Sequence, residues 1–168
     1  SCANEVSKVN QDNDTLIQEH GYLLLAVDTN VNLHEIYLSG EEYVKLTAAD
    51  LRAGSNYLLV MLPAGKYELN KIKSNRFVKF DNFEEDLWSF QVKKGVISYV
   101  GHLTIKTVGF WSSTSSIIML NKSSMALEFL EENYQNILSN RKLEYWGPGN
   151  DDFFNFVLST ASNEEASQ

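Results

Sequence analysis

Cysteine is all but missing from this sequence: the single example among 168 residues is Cys2. One cysteine excludes an internal disulfide and any metal site built from thiolates alone. Proline is nearly as scarce, with Pro63 and Pro148 the two examples, each within two residues of a glycine. Basic residues are in deficit, 14 against 22 acidic ones, for a formal charge of −8. That balance disfavours a nucleic-acid partner, whose phosphates need a basic face. No run approaches the roughly 20 apolar residues of a membrane-spanning helix, and the nearest, Tyr22 to Val27, is the size of a strand. There is no phosphate-binding glycine loop and no nucleophile elbow. His34-Glu35 opens like a zinc-protease motif, but Leu38 stands where the second histidine belongs, and His20 and His102 are distant. Glu84–Asp86 and Asp151-Asp152 lack the glycine-centred frame of a calcium loop. The sequence therefore predicts no metal, no cofactor and no catalytic set.

What the chain does contain is a strand rhythm. Its 43% apolar and 12% aromatic content is that of a globular domain. Tyr22 to Asp28, YLLLAVD, predicts a strand buried on both faces or lying in a sandwich core. Leu33, Ile36 and Leu38 predict a second strand and Tyr43 to Leu46 a third, followed by a helical turn capped by Thr47. NYLLVMLP closes in a turn at Pro63-Ala64-Gly65. Tyr67 and Leu69 then alternate with polar residues, and Ile72 falls out of phase, which predicts a bulge. Trp88, Phe90 and Val92 share one side of the next strand. Ile97, Tyr99, Leu103 and Ile105 are expected on one face of a long strand bent at Gly101. Residues 112–116, rich in serine, read as a loop, and SIIMLN as one more strand. Turns spaced in this way predict a mainly β fold, an antiparallel sandwich of seven or eight strands with a C-terminal helical appendage. Lys66, Lys71, Lys73, Arg76 and Lys79 read as its solvated face.

The expected organisation has four parts. Residues 1–19, rich in Asn, Gln, Asp and Glu, predict a flexible tether, and 20–121 the sandwich. Residues 122–161 predict a helical segment packed on it, and 162–168 a disordered tail. Within the helical segment, a helix capped by Ser124 and running to Asn140 buries Leu127, Leu130, Tyr134, Ile137 and Leu138. After a break at Trp146–Gly149, a shorter helix carries Phe153, Phe154, Phe156 and Val157. These four are a candidate partner surface, or else a cover for an open edge of the sandwich. Trp88, Phe90, Tyr99, Phe110 and Trp111 read mainly as core, with a stacking platform for glycans or peptides as the alternative.

Two stretches resemble known families. Ser-Cys-Ala followed by NEVSKVNQDNDT resembles the processed start of a bacterial lipoprotein. The resemblance implies lipid attachment at Cys2, and Ala3 implies sorting to the outer membrane. Ala64 to Tyr67, with Phe90-Gln91-Val92 leading through Gly95 to Tyr99 and Gly101, resembles the prealbumin-like or carboxypeptidase-regulatory-like β-sandwich of small bacterial lipoproteins of unknown function. An Ig-like sandwich is the alternative. The likeness covers residues 20–107 and implies a lipid-anchored protein of the cell envelope facing the periplasm. It also implies a non-enzymatic role in binding or assembly with an envelope protein or glycan. The competing expectations are a glycan- or peptide-binding module using exposed aromatics, and a hydrolase with a site assembled across strands.

Overall fold

A computed structural model describes residues 2–109 and 114–167. Along the chain the strands are β1 (Asn4–Glu5), β2 (His20–Thr29), β3 (Glu35–Gly40), β4 (Val44–Thr47), β5 (Gly54–Pro63) and β6 (Gly65–Lys73). They continue as β7 (Lys79–Phe80), β8 (Ser89–Val92), β9 (Ile97–Val108), β10 (Thr114–Leu120) and β11 (Leu143–Tyr145). The helices are α1 (Glu85–Trp88), α2 (Ser123–Asn133), α3 (Gln135–Asn140) and α4 (Phe153–Ala166). A single 3₁₀ turn spans Ala48–Asp50, with Thr47 extended before it and its side chain making no cap bond.

The architecture is mainly β, with two sheets. The first runs β1-β4-β3-β6, with β7 and β8 sharing the outer edge of β6. The second runs β5-β2-β9, with β10 and β11 sharing the outer edge of β9. The expectation of a purely antiparallel sandwich of seven or eight strands is corrected. Among the described residues there are eleven strands, and β1-β4, β2-β9 and β9-β11 are parallel pairs. The reason is connectivity. Five strands of the first sheet, β3, β4, β6, β7 and β8, separate β2 from β9 in sequence, together with the excursion through β5. The chain therefore re-enters beside β2 in the same direction. Helices α2 and α3 likewise return it to run parallel with β9, as long crossovers do.

Three layers result. Leu23, Leu25 and Val27 of β2 face the first sheet, among Ile36, Leu38, Val60, Leu69 and Leu103. Tyr22 and Leu24 point the other way, to Leu130, Ile137 and Phe154 of the helices. The unbroken apolar run of β2 is thus the signature of a strand buried on both faces, as expected.

Two bulges set which side chains face which layer. The first lies at Asn70, where Tyr37 pairs with Lys71 but Leu38 pairs with Leu69, so Ile72 turns inward out of phase. The second corrects the expectation for β9. Leu24 pairs with Tyr99 and Leu25 with Gly101, leaving Val100 as the extra residue. Ile97 and Tyr99 consequently face the helices, while Leu103 and Ile105 face the sandwich interior. Gly101 holds φ +129° there, and a Cβ on it would stand 2.7 Å from Met119 Sδ. No other residue fits that bend.

Both chain ends depart from expectation. The stretch expected as a free tether lies along the domain instead. Asn4 and Glu5 pair with Val44 and Lys45, Val6 N–H donates to Lys45 O at 3.1 Å, and Val9 N–H donates to Leu59 O at 2.7 Å. Its polar composition misleads because its acids have partners within the fold. Asp12 accepts from the amides of Asn136 and Ile137 at 2.7 and 2.9 Å, which caps α3. Asp14 accepts from Arg141 Nε at 2.7 Å and from the Tyr22 hydroxyl at 3.0 Å. The expected single helix over 125–140 is divided at Tyr134, whose φ −136° and ψ 45° open the amides that Asp12 caps. At the other end α4 continues to Ala166, so most of the expected disordered tail is helical. Residues 114–116, expected as loop, belong to β10. The remainder of that serine-rich patch, with Phe110 and Trp111, lies outside the described residues.

Candidate functional site

The residues singled out in the sequence are mostly put to structural use. Trp88 packs on Phe83 with ring centroids 5.1 Å apart, at the margin of the sandwich core, and Phe90 is buried inside it. Tyr99 is buried under the helices. The candidate partner surface on α4 divides. Phe154 is buried against Tyr99 with centroids 6.0 Å apart, and Phe153 and Val157 pack beside it. Phe156 is the member turned outward, 72% exposed. The helix thus covers the outer face of the second sheet, because its 153/154/157 positions fall on one side. Cys2 is exposed with a free thiol.

The histidines lie in different settings. His34 is exposed, and His20 Nδ1 stands 3.0 Å from the Gln18 carbonyl. His102 is fully buried on the helical side of β9, a position the Val100 bulge creates by bringing residues 99 and 102 to one face. Its Nδ1 is 2.6 Å from the Tyr99 hydroxyl and its Nε2 is 3.2 Å from the Tyr57 hydroxyl. Tyr99 Oη accepts from the Lys122 amide at 2.9 Å. Both ring nitrogens are satisfied when Tyr99 gives its proton to Nδ1 and Nε2–H donates to Tyr57. Burial pushes His102 down to about 4, against help from Asp28 and with Lys122 acting in the same direction as burial. The imidazole is therefore neutral, a link in a buried chain that ties α2 to β9 and β5.

A concave site lies elsewhere, at the side of the sandwich where residues of β8 and β11 line one cleft. A cleft of about 670 Å³ opens there between these strands and the loop leading into α4. Trp146 is part of its lining. Its carbonyl accepts from Gln91 N–H of β8 at 3.1 Å, and its own N–H donates to Tyr99 O of β9 at 2.8 Å. One residue thereby joins the two sheets through its backbone. Gly147 follows because a Cβ there would lie 2.3 Å from the Val100 carbonyl. The Tyr145 hydroxyl donates to Pro148 O at 2.5 Å and holds the Gly-Pro-Gly turn.

The Trp146 ring is fixed from two directions. Its Nε1–H donates to Glu144 Oε2 at 2.5 Å, and Lys93 Nζ stands 4.5 Å from its centroid. Glu144 also pairs with Lys142 at 3.1 Å. Burial raises the Glu144 carboxyl, but the Trp146 and Lys142 hydrogen bonds and the charges of Lys142 and Lys93 outweigh it and hold it below the ordinary 4.5. Asp151, also in the lining, accepts from Asn121 Nδ2 at 2.7 Å, from the Ser123 hydroxyl and from Phe153 N–H at 2.9 Å. Burial raises it too, and those hydrogen bonds overcome burial, so it lies below 3.8. Both carboxylates are ionised at neutral pH.

The sequence reading missed this site, since Trp146-Gly147-Pro148-Gly149 was legible only as a break. The available signal was a tryptophan placed at the mouth of a turn directly after the alternating Leu143, Glu144, Tyr145. Among the described residues no group of three His, Cys, Asp or Glu side chains is placed to hold a metal ion. Comparison with family models, with curated proteins and with solved structures finds no match to this chain.

Proposed function

We propose that this protein is a non-enzymatic binding component of the bacterial cell envelope, lipid-anchored through Cys2 and facing the periplasm from the outer membrane. Its ligand or envelope partner seats in the cleft beside Trp146. The observation that carries the reading is that cleft. Its volume of about 670 Å³ lies within the range of ligand sites, and its walls come from rigid strands of both sheets. Two of its acids, Glu144 and Asp151, are already engaged by internal donors, an arrangement suited to holding a ligand and ill suited to proton transfer by that pair. The exposed, unpaired thiol of Cys2 supports the anchor, since acylation needs an accessible sulfur. The prealbumin-like likeness belongs to the same proposal, with the parallel β2-β9 pair as a departure from a purely antiparallel sandwich.

The test has two arms. The protein is expressed behind a lipoprotein signal in a Gram-negative host, and mass spectrometry reads the N-terminal peptide. A diacylglyceryl thioether on Cys2, absent in Cys2→Ala, is expected, and an unmodified thiol overturns the anchor. Cross-linking in intact envelopes is then compared between the native protein and Trp146→Ala. Loss of the captured species in the variant is expected, and an unchanged pattern removes the cleft from the reading.

A further inference from the structure

Resting on the reading of the cleft as a binding site, we infer that it takes a neutral, hydroxyl-rich ring ligand, a short saccharide. Other ligand classes meet obstacles in named residues. An anion needs uncompensated cations, but Lys66 and Lys142 each have a carboxylate neutralising them, Glu85 at 2.5 Å and Glu144 at 3.1 Å. Asp151 and Asp152 line the same space and repel it. A cation meets the ring of Trp146 already occupied electrostatically by Lys93, 4.5 Å from the centroid. An extended peptide adding to β8 needs the outward amide of Gln91, which donates to the Trp146 carbonyl instead.

The positive case comes from the same groups. Trp146 is a partly exposed member of the cleft lining, and sugar rings present C–H faces that stack on indole rings while their hydroxyls point outward. Around it stand Ser89, Asn150, Asp152 and Asn155. Amides and hydroxyls both give and accept hydrogen bonds and carboxylates accept them, which matches hydroxyl groups that do both. The ring does not have to be ordered on binding, because Glu144 and Lys93 already fix it. A cleft of about 670 Å³ is of the size that holds a drug-sized ligand, comparable to two or three sugar rings.

Isothermal titration of the full chain tests this with maltotriose, cellotriose and tri-N-acetylchitotriose, and with an uncharged Ser/Gly/Thr hexapeptide as a separate arm. At least one trisaccharide is expected to bind. Trp146→Ala should weaken it by about tenfold or more, and Asn155→Ala, an exposed position that leaves the loop intact, by several-fold. Trp88→Phe, outside the cleft, should leave the affinity unchanged. Peptide binding that depends on Trp146, without saccharide binding, overturns the saccharide and leaves the cleft as a binding site. No binding in either arm overturns both. Saccharide binding indifferent to Trp146 and Asn155 overturns the inference by placing the ligand elsewhere.

Discussion

The sandwich has two open sides, and the chain treats them differently. On one, residues 4–14 pass from β4 to β5 and then over α3, bonding to each. On the other, the backbone of the single residue Trp146 crosses from β8 to β9, with a cleft beside it. The first side is crossed by a length of chain whose acids are its anchors, with a smaller, more polar hollow of about 470 Å³ beside Lys8, Asn10 and Asp12. The second is braced at one point and otherwise kept open to solvent. Exposed strand edges invite unwanted pairing, so a side without a job is covered. An open side that has been made rigid is where a ligand site is expected.

Removing the strap tests that contrast most severely. A chain beginning at Ile17 loses the partly buried Val9 and Leu16 from the helical-side core, the Asp12 cap and the Asp14 contacts. Burial, cap and charged hydrogen bonds together come to about 5 kcal/mol, a large share of the stability of a domain this size. Urea denaturation should show the loss, and sedimentation should show self-association through the uncovered β4 and β5. A monomer of native stability would mean that the strap is ornamental.

The buried histidine separates the helical layer from both sides. The folded value of His102 is about 4 against an ordinary 6.5, so the unfolded chain takes up a proton that the folded chain refuses. Its contribution is complete above pH 6.5 and declines as pH falls through that value toward 4. Between pH 6.5 and 5 the decline should be about 2 kcal/mol. Asp14, Glu144 and Asp151 titrate below their ordinary 3.8 or 4.5 and enter only in more acid solution. Stability measured against pH should therefore fall more steeply for the native chain than for His102→Gln in that window. Parallel curves would show that the imidazole is not what the burial demands.

Much of the sandwich was legible because it is written in local periodicity. The run of β2, the turn at Pro63–Gly65 and the phase slip at Ile72 each follow from residues within one short window. What was illegible depends on residues far apart. Asp12 and Asp14 look like solvated acids until α3 and Arg141, more than a hundred residues later, come to meet them. The Val100 bulge is hidden because Gly101 announces a bend without saying which neighbour is extra. β11 is three residues long and parallel, so it has no hairpin turn to mark it. Trp146 reads as part of a break because its role, joining β8 to β9, is carried by its backbone.

Two ion pairs, one from each side, sharpen the comparison at the small end. Arg141–Asp14 and Lys66–Glu85 have similar separations, 2.7 and 2.5 Å, yet their settings differ. The first has side chains 29% and 15% exposed and shares Asp14 with Tyr22, whereas the second has side chains 53% and 64% exposed. Arg141→Ala should cost about 2 kcal/mol, because it strands a half-buried carboxylate and loosens the strap. Lys66→Ala should leave the melting temperature where it is, since an exposed pair gains little over its hydrated, mobile side chains. Adding salt should likewise leave the Arg141–Asp14 contribution largely intact, because charges shielded from water are screened less. If Lys66→Ala destabilises as much as Arg141→Ala, the cleft side is fastened by charge as the strap side is, and its openness is incidental.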